Sequence, residues 1–386
     1  MKSLKNILPI ALLTLIPTIA IWGIFYFKVP EINNIPLPTN GMATIVANYD
    51  GPLYLVVAKT LYDNSAIKTN FQFPLPVEYY AAHFPLFPVL IRSLGLLTKN
   101  FPYAMLTVTL LSSFLALYFF HKLIKDFVNR DIDALWLTAV FAIFPARWLI
   151  VRSIGSPEPL FIAGIIASIY YYDKKKFWLA GIWGAIATLT KSPGILLFVA
   201  FFAATVIPRL KSLATSKLEP WLKSLNLKKY PLLLIPLALF VVFWVYKIQF
   251  NNFFAYFNSG DNIHLMFPPF QIFNYSAPWV GTFWLEEIIF IYLFGAMAVM
   301  QLIKEKYHTI AWFVGIFFTT ILFVSHRDLM RYALPITPFI FVAFAKYLST
   351  KEFKIAFIIL IIPIFLFSLA FIANNVMPIA NWGPLL

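Results

Sequence analysis

The chain of 386 residues contains no cysteine and few charged residues, and acids are scarcer than bases. Without cysteine it can form no disulfide bond, thiolate metal site or cysteine nucleophile. Only 12% of its residues are charged, whereas an ordinary soluble domain has about a quarter. A glycine-rich phosphate loop is also missing, and the five histidines are too scattered to indicate a metal site. We therefore expect neither a bound metal nor a cofactor.

Long apolar runs take up most of the chain instead. Hydrophobic residues make up 61% of it, and its mean hydropathy is +0.80. About eleven runs approach the ~20 residues that a helix needs to cross a bilayer core. They start near residues 7, 101, 132, 158, 177, 193, 231, 285, 308, 332 and 354. The pattern predicts an all-α polytopic membrane protein with about 11 transmembrane helices, forming a single domain over residues 1–386.

Basic residues are concentrated between alternate apolar runs. They are Lys2 and Lys5; Lys122, Lys125 and Arg130; Lys174 to Lys176; those from Arg209 to Lys229; Lys304 and Lys306; and Lys346, Lys351 and Lys354. The positive-inside rule places these segments and the N-terminus in the cytoplasm. Residues 28–100 and 250–284 then form extracytoplasmic loops, the first with amphipathic stretches, Pro52 to Tyr62 and Pro85 to Leu97, expected at the membrane interface. We assign the net charge of +14 to this topology and not to nucleic-acid binding.

The first outer loop contains an acid among aromatic residues, in the stretch NYDGPLYLVVAKTLYD. Asp50 precedes Gly-Pro, which favours the start of a helix, and an acid at a helix N-terminus stays ionised. Asp50 is the candidate catalytic residue, and Tyr49, Tyr54 and His83 are candidate substrate-binding residues. The alternatives are that Asp50 only forms a turn or cap and that His83 is only packed in the loop.

Further ionisable residues lie at the outer ends of later apolar runs. The candidate substrate-binding residues among them are Arg152 and Glu158, Lys191, and His326, Arg327 and Arg331. An acid among separate cations suits transfer of a sugar from a lipid phosphate. The acid removes a proton from the acceptor hydroxyl, and the cations stabilise the departing phosphate. Alternatively, Glu158 only caps a helix, and the basic side chains only extend to lipid head groups.

Three stretches resemble the GT-C glycosyltransferases, in particular the PIG-V type of mannosyltransferase. They are NYDGPLYLVVAKTLYD with HFPLFPVLIR, then GSPEPLFIAGIIASIYYYDKKKFWLAGIWGAIATLTKSPGILL, then RYALPITPFIF, and they touch most of residues 48–340. Tyr49 stands where that family commonly has Trp. The resemblance implies a GT-C-like fold, a polyprenyl-phosphate-linked sugar donor, an inverting transfer on the outer face, and an essential first-loop aspartate, which corresponds to Asp50.

The leading hypothesis is therefore a multi-pass membrane glycosyltransferase, with Asp50 as base and Lys191, Arg327 and Arg331 as candidate phosphate ligands. A mannose-like hexose is favoured, the acceptor is a glycan, lipid or protein, and membrane lipids surround the chain. A transporter or flippase of a lipid-linked substrate is one alternative, although it predicts ionisable residues in mid-membrane and paired repeats. An oligosaccharide ligase or polymerase is another, although it predicts a large late outer loop.

Overall fold

The computed structural model describes residues 4–128, 131–213, 227–260, 264–274, 276–277 and 284–386. The described α-helices are α1 Leu4–Tyr26, α2 Met42–Val46, α3 Gly51–Thr60, α4 Asn64–Asn70, α5 Leu86–Thr98, α6 Phe101–Phe127, α7 Ala134–Ile143, α8 Ala146–Ser153, α9 Glu158–Asp173, α10 Phe177–Thr190, α11 Leu196–Leu213, α12 Leu234–Phe250, α13 Leu285–Lys304, α14 His308–Ile321, α15 Leu329–Ala333, α16 Thr337–Ala343, α17 Ala345–Leu348 and α18 Lys351–Asn374. Short 3-10 helices span Val77–Ala82, Ser192–Ile195, Leu227–Leu233, Ala255–Asn258, Gln271–Phe273, Leu334–Ile336 and Gly383–Leu385. Strands β1 Glu31–Ile32 and β2 Ile35–Pro36 pair antiparallel.

Five helices in the described ranges are long and apolar enough to cross a membrane. They span Ile7–Tyr26, Phe101–Phe127, Lys228–Phe250, Leu285–Lys304 and Lys351–Asn374. Helices α7 and α8, bent by 73° at Pro145, make a sixth if they form one broken span. Apolar helices such as α10 and α14 have only 14 residues. Each is about 21 Å long, against a bilayer core of ~30 Å, so the predicted count of eleven is not confirmed.

Helix α9 forms the centre of the bundle. Almost all of its side chains are buried, and it packs against α6 and α10. Gly164 allows the close approach to α10, because a Cβ at this position would lie 3.0 Å from the Ala187 Cβ. Small residues at such contacts let helix backbones meet. Since protein surrounds α9 on all sides, Glu158 at its first position is carried into the interior.

The first outer loop is folded into short elements, as its prolines predict. Pro76 precedes the 3-10 helix Val77–Ala82, and Pro85 precedes α5. Helix α5 exposes Leu97, which fits the interfacial position predicted for it. The prediction that α3 lies at the membrane interface is wrong, because residues 51–58 of this helix are all buried. Apolar residues on every side of α3 make it a core element.

The C-terminal segment after α18 packs against the start of this loop. Val376 forms an isolated β-bridge with Asn48, and the Met377 amide donates to the Ala47 carbonyl at 2.7 Å. The Asn48 side-chain Nδ2 also donates to the Ile372 carbonyl at 2.8 Å. These bonds fix the backbone just before Asp50 to the end of the chain.

Parts of two predicted loops lie outside the described residues. In the predicted cytoplasmic segment from Arg209 to Lys229, these are residues 214–226. In the second outer loop, 250–284, they are residues 261–263, 275 and 278–283. The cytoplasmic N-terminus and the outward-facing site stay predictions.

Candidate functional site

A cavity of about 380 Å³ lies between the first outer loop, α9, and the chain around Lys191 and Arg331. Its ionisable lining residues are Asp50, Tyr54, His83, Glu158, Lys191, Tyr256, His264, Arg331 and Tyr332. Most of the remaining lining is apolar, including Phe161, Ile195, Leu196, Leu239, Phe243, Phe257, Leu265, Phe317, Ile321 and Val324. The cavity therefore offers ionisable groups and an extended apolar wall to one ligand.

Asp50 enters the cavity from a tight turn at the start of α3. The residue before it, Tyr49, has a φ of 48°, and only glycine fits after it, since a Cβ at Gly51 would lie 2.5 Å from the Val46 carbonyl oxygen. Although Asp50 holds the N-cap position of α3, its side chain forms no capping hydrogen bond. Its carboxylate is 36% exposed and lies 3.7 Å from Arg331 Nη2. The carboxylate is thus free to face a ligand.

Glu158 lies in the interior between two cations. Lys191 Nζ and Arg331 Nε each lie 2.7 Å from Glu158 Oε1, and the Ser156 hydroxyl donates to Oε2. The Glu158 side chain is only 3% exposed. Two neighbouring cations favour the charged carboxylate despite its burial. Glu158 therefore fixes the positions of both cations at the cavity.

The Lys191 position follows from the break between α10 and the 3-10 helix Ser192–Ile195. Lys191 has extended backbone, with φ −150° and ψ 142°, at the N-cap of this 3-10 helix. This break in the helix directs the Lys191 side chain towards Glu158 and away from the apolar surroundings of α10. Its side chain remains 30% exposed.

Tyr49 connects Asp50 to a second charged pair. Its hydroxyl donates to Asp328 at 2.7 Å and accepts from Arg147 at 2.9 Å, while Arg147 Nε lies 3.0 Å from the Asp328 carboxylate. The Arg331 guanidinium lies over the Tyr49 ring, 4.2 Å from its centre. Burial, and then the charge of Asp328, raise the pKa of Tyr49 far above its usual value, so the hydroxyl stays protonated. These contacts hold Tyr49 in its left-handed conformation.

His83 faces the cavity but is almost fully buried. Its ring packs edge-on against Tyr54, with centroids 4.7 Å apart, and its Nδ1 is buried without a hydrogen-bond partner among the described residues. Burial lowers the pKa of His83, so its ring is neutral near pH 7. A bound ligand can satisfy this nitrogen.

Four of the predicted substrate-binding residues, Tyr49, Arg152, His326 and Arg327, do not line the cavity. His326 lies behind His264, with ring centroids 4.3 Å apart. Arg327 is exposed. The Tyr49 ring contacts the site by packing against the Arg331 guanidinium.

Arg152 is also absent from the cavity lining and bonds to backbone elsewhere. It is fully buried and donates to the carbonyls of Leu13, Thr14 and Ala142. Pro17 cannot donate the usual helical bond to Leu13, and Ala142 is in the last turn of α7, so these carbonyls need partners. The geometry gives Arg152 a role in joining α1 to α7.

Sequence reasoning missed several residues of the second outer loop and the chain facing it. His264 and Tyr256 line the cavity, and the Tyr256 and Ser192 hydroxyls are hydrogen-bonded at 2.7 Å. The aromatic composition of the loop indicated a substrate surface but did not identify these positions. Residue 264 reaches the site because the Ser325 amide donates to its carbonyl at 2.8 Å.

Comparison with known proteins finds similarity to solved structures and not to sequences. No family model matches the chain, and no curated protein matches its sequence. The crystal structure of ArnT from Cupriavidus metallidurans bound to undecaprenyl phosphate is similar, with a TM-score of 0.57 and 12% identity. The match covers 90% of this chain but 63% of that one, so the chain spans less than two thirds of ArnT.

At this identity the similarity shows the fold alone. The resemblance to the PIG-V type is not confirmed, because no family model matches. The expectation of a polytopic, all-α membrane fold is confirmed by the similarity to the ArnT structure and by the long apolar helices. The chain therefore has a polytopic, all-helical membrane fold that is similar to the fold of ArnT.

Proposed function

We propose that the protein is a membrane glycosyltransferase that transfers a hexose, with mannose favoured, from a polyprenyl-phosphate donor to an acceptor on the outer face. The observation that carries this proposal is the placement of Asp50, 3.7 Å from Arg331, in a cavity whose walls are otherwise largely apolar. Such a cavity suits a ligand with a charged head and a hydrocarbon tail. ArnT, which shares the fold, has undecaprenyl phosphate bound.

Arg331 and Lys191 are the proposed ligands of the donor phosphate. They lie next to the carboxylates of Glu158 and Asp50. Both cations can donate charge-assisted hydrogen bonds to an anionic phosphate, and the guanidinium of Arg331 can bind two of its oxygens at once. The apolar wall, including Phe243, Phe317 and Leu265, accepts the first part of the lipid chain.

Asp50 is the proposed general base. It removes the proton from an acceptor hydroxyl while that oxygen bonds to the anomeric carbon and the bond from this carbon to the phosphate oxygen breaks. Arg331 and Lys191 stabilise the charge on the departing phosphate. A single carboxylate suffices for inversion, whereas a retaining reaction by double displacement requires a second one as nucleophile. Glu158 suits that role poorly because both its oxygens already have partners.

A transfer assay with the purified protein in lipid nanodiscs tests the proposal. A panel of polyprenyl-phosphate sugars is offered with candidate glycan, lipid and peptide acceptors, and the anomeric configuration of each product is determined. We expect transfer with inversion. A folded protein that moves the lipid across a bilayer without forming product supports the transporter alternative, and retention of configuration contradicts the proposed role of Asp50.

A further inference from the structure

A second cavity, of about 340 Å³, lies where the first outer loop meets the C-terminal segment. It is lined by Asn70, Phe71, Gln72, Phe73 and Pro74 from the loop, and by Pro378, Ile379, Ala380, Asn381 and Pro384 from the C-terminal segment. The lining shares no residue with the cavity that contains Asp50. We call it the seam cavity.

The lining of the seam cavity combines amides and aromatic rings without a charged side chain. Gln72 is exposed, and its amide has no hydrogen-bond partner among the described residues. Asn381 Oδ1 accepts from the Gly383 amide at 2.9 Å, and Asn70 Nδ2 donates to the Ala66 carbonyl at 2.9 Å. One end of each asparagine amide is thus held, leaving the NH₂ group of Asn381 and the oxygen of Asn70 for a ligand.

These groups match an uncharged carbohydrate better than other ligand classes. Sugar hydroxyls both donate and accept hydrogen bonds, as amides do, and the apolar C–H faces of a sugar ring can pack on Phe71 and Phe73. An anion would meet no positive side chain among the lining residues. A lipid tail would have to desolvate three amide side chains without giving them partners.

The position of the seam cavity relates it to Asp50. Pro378 is two residues beyond Val376, which is bridged to Asn48, and Asn48 is two residues before Asp50. Two extended residues span at most about 7 Å, and bridged strands lie about 5.5 Å apart. The Cα atoms of Asp50 and Pro378 are therefore at most about 20 Å apart. An oligosaccharide is long enough to span this distance.

We propose that the seam cavity binds the uncharged glycan part of the acceptor, while the acceptor hydroxyl that receives the sugar lies at Asp50. The inference rests on the proposed glycosyl transfer for the role of the glycan, but glycan binding itself does not depend on catalysis. The glycan can be free or attached to a lipid or protein, because the contacts recognise only its sugar rings.

Equilibrium binding of neutral manno- and gluco-oligosaccharides of increasing length, measured by calorimetry on the full chain in detergent, tests the proposal. The test variant combines Gln72→Ala with Phe73→Leu, which removes an amide and an aromatic face but keeps an apolar side chain. The control is Asn258→Ala, which removes an exposed amide from the other outer loop. Thermal unfolding midpoints show whether each variant is folded.

We expect the wild-type chain and Asn258→Ala to bind the same neutral oligosaccharide with equal affinity. Losing an amide contact and an aromatic contact should weaken the binding by roughly tenfold or more in the double variant. In the transfer assay, the KM for the acceptor should rise while the KM for the donor is unchanged. The inference is overturned if no oligosaccharide of the series binds the wild type, or if the folded double variant binds equally tightly. Glycan binding without transfer from any donor would instead reject the proposed enzymatic activity and leave the site standing.

Discussion

Asp50 and Glu158 are two carboxylates that line the same cavity in opposite surroundings. The Glu158 side chain is 3% exposed and has two cationic partners at 2.7 Å, whereas that of Asp50 is 36% exposed and has one at 3.7 Å. Glu158 is therefore already neutralised by the protein, and protonating it would break two short ion pairs. The Asp50 carboxylate is more exposed and less tightly paired, so it can accept a proton from a ligand. This difference assigns a positioning role to Glu158 and the role of general base to Asp50.

Arg331 is the residue that both carboxylates share, so removing it should have the largest effect. We expect Arg331→Ala to lower transfer by roughly 10³-fold, because the departing phosphate loses its main stabilising group. Arg331→Lys should be intermediate, since lysine cannot bind two phosphate oxygens at once. Steady-state kinetics with donor and acceptor varied separately measures the effect.

The matched control is Arg327→Ala, an exposed arginine in the same segment that does not line the cavity. Near-normal transfer is expected from this variant. A folded Arg331→Ala protein with an unchanged response to donor concentration would remove Arg331 from the phosphate site and shift the assignment to Lys191.

Neutralising the buried acid should mainly affect stability. Glu158→Gln leaves Lys191 and Arg331 without their counter-charge, and breaking a buried pair in this way costs about 3 kcal/mol of unfolding free energy. Adding Lys191→Met removes one of the uncompensated charges and should recover part of the loss. Chemical denaturation in mixed micelles measures both variants. Equal stability of Glu158→Gln and the wild type would show that the ion pairs contribute no net stability.

The hydroxyl of Tyr49 should have a smaller effect. Tyr49→Phe keeps the ring beneath Arg331 but removes hydrogen bonds to Asp328 and Arg147, each a bond to a charged group. We expect a loss of about 2 kcal/mol in stability and a lower kcat with little change in the KM for the donor. A change confined to the KM for the donor would indicate that Tyr49 contacts the donor directly.

The smallest expected effect concerns pH. Burial, and then the neighbouring His264, lower the pKa of His326 to about 4, below its usual 6.5. The unfolded chain thus binds more protons between these values, and stability should fall as the pH is lowered from about 6.5 towards 4. His83, whose pKa is also lowered, adds to the same slope. Unfolding midpoints of His326→Gln should depend less on pH than those of the wild type, and identical slopes would contradict this assignment.

Local signals in the sequence predicted much of the backbone around the site. Gly-Pro after Asp50 and Pro-Glu-Pro around Glu158 mark the starts of α3 and α9, and Lys-Ser-Pro-Gly marks the break at Lys191. Each signal depends on the conformational limits of a few neighbouring residues.

The pairing of these residues could not be predicted in the same way. Glu158 meets Lys191 and Arg331, which lie 33 and 173 positions away along the chain. Arg152 was predicted as a site residue because it is a charged residue at the outer end of an apolar run, and the sequence does not show its carbonyl partners in α1 and α7. The burial of α3 depends on packing against α5, α6 and the 3-10 helix Gly383–Leu385, which no local pattern indicates.

The most direct test of the assignment is the rate of sugar transfer by Asp50→Asn under saturating donor and acceptor. Asparagine keeps the size of the side chain but cannot accept the proton, so turnover should fall by roughly 10²-fold or more while donor binding and the unfolding midpoint stay near wild-type values. Transfer by a folded Asp50→Asn protein at the wild-type rate would contradict the claim that this carboxylate is the base.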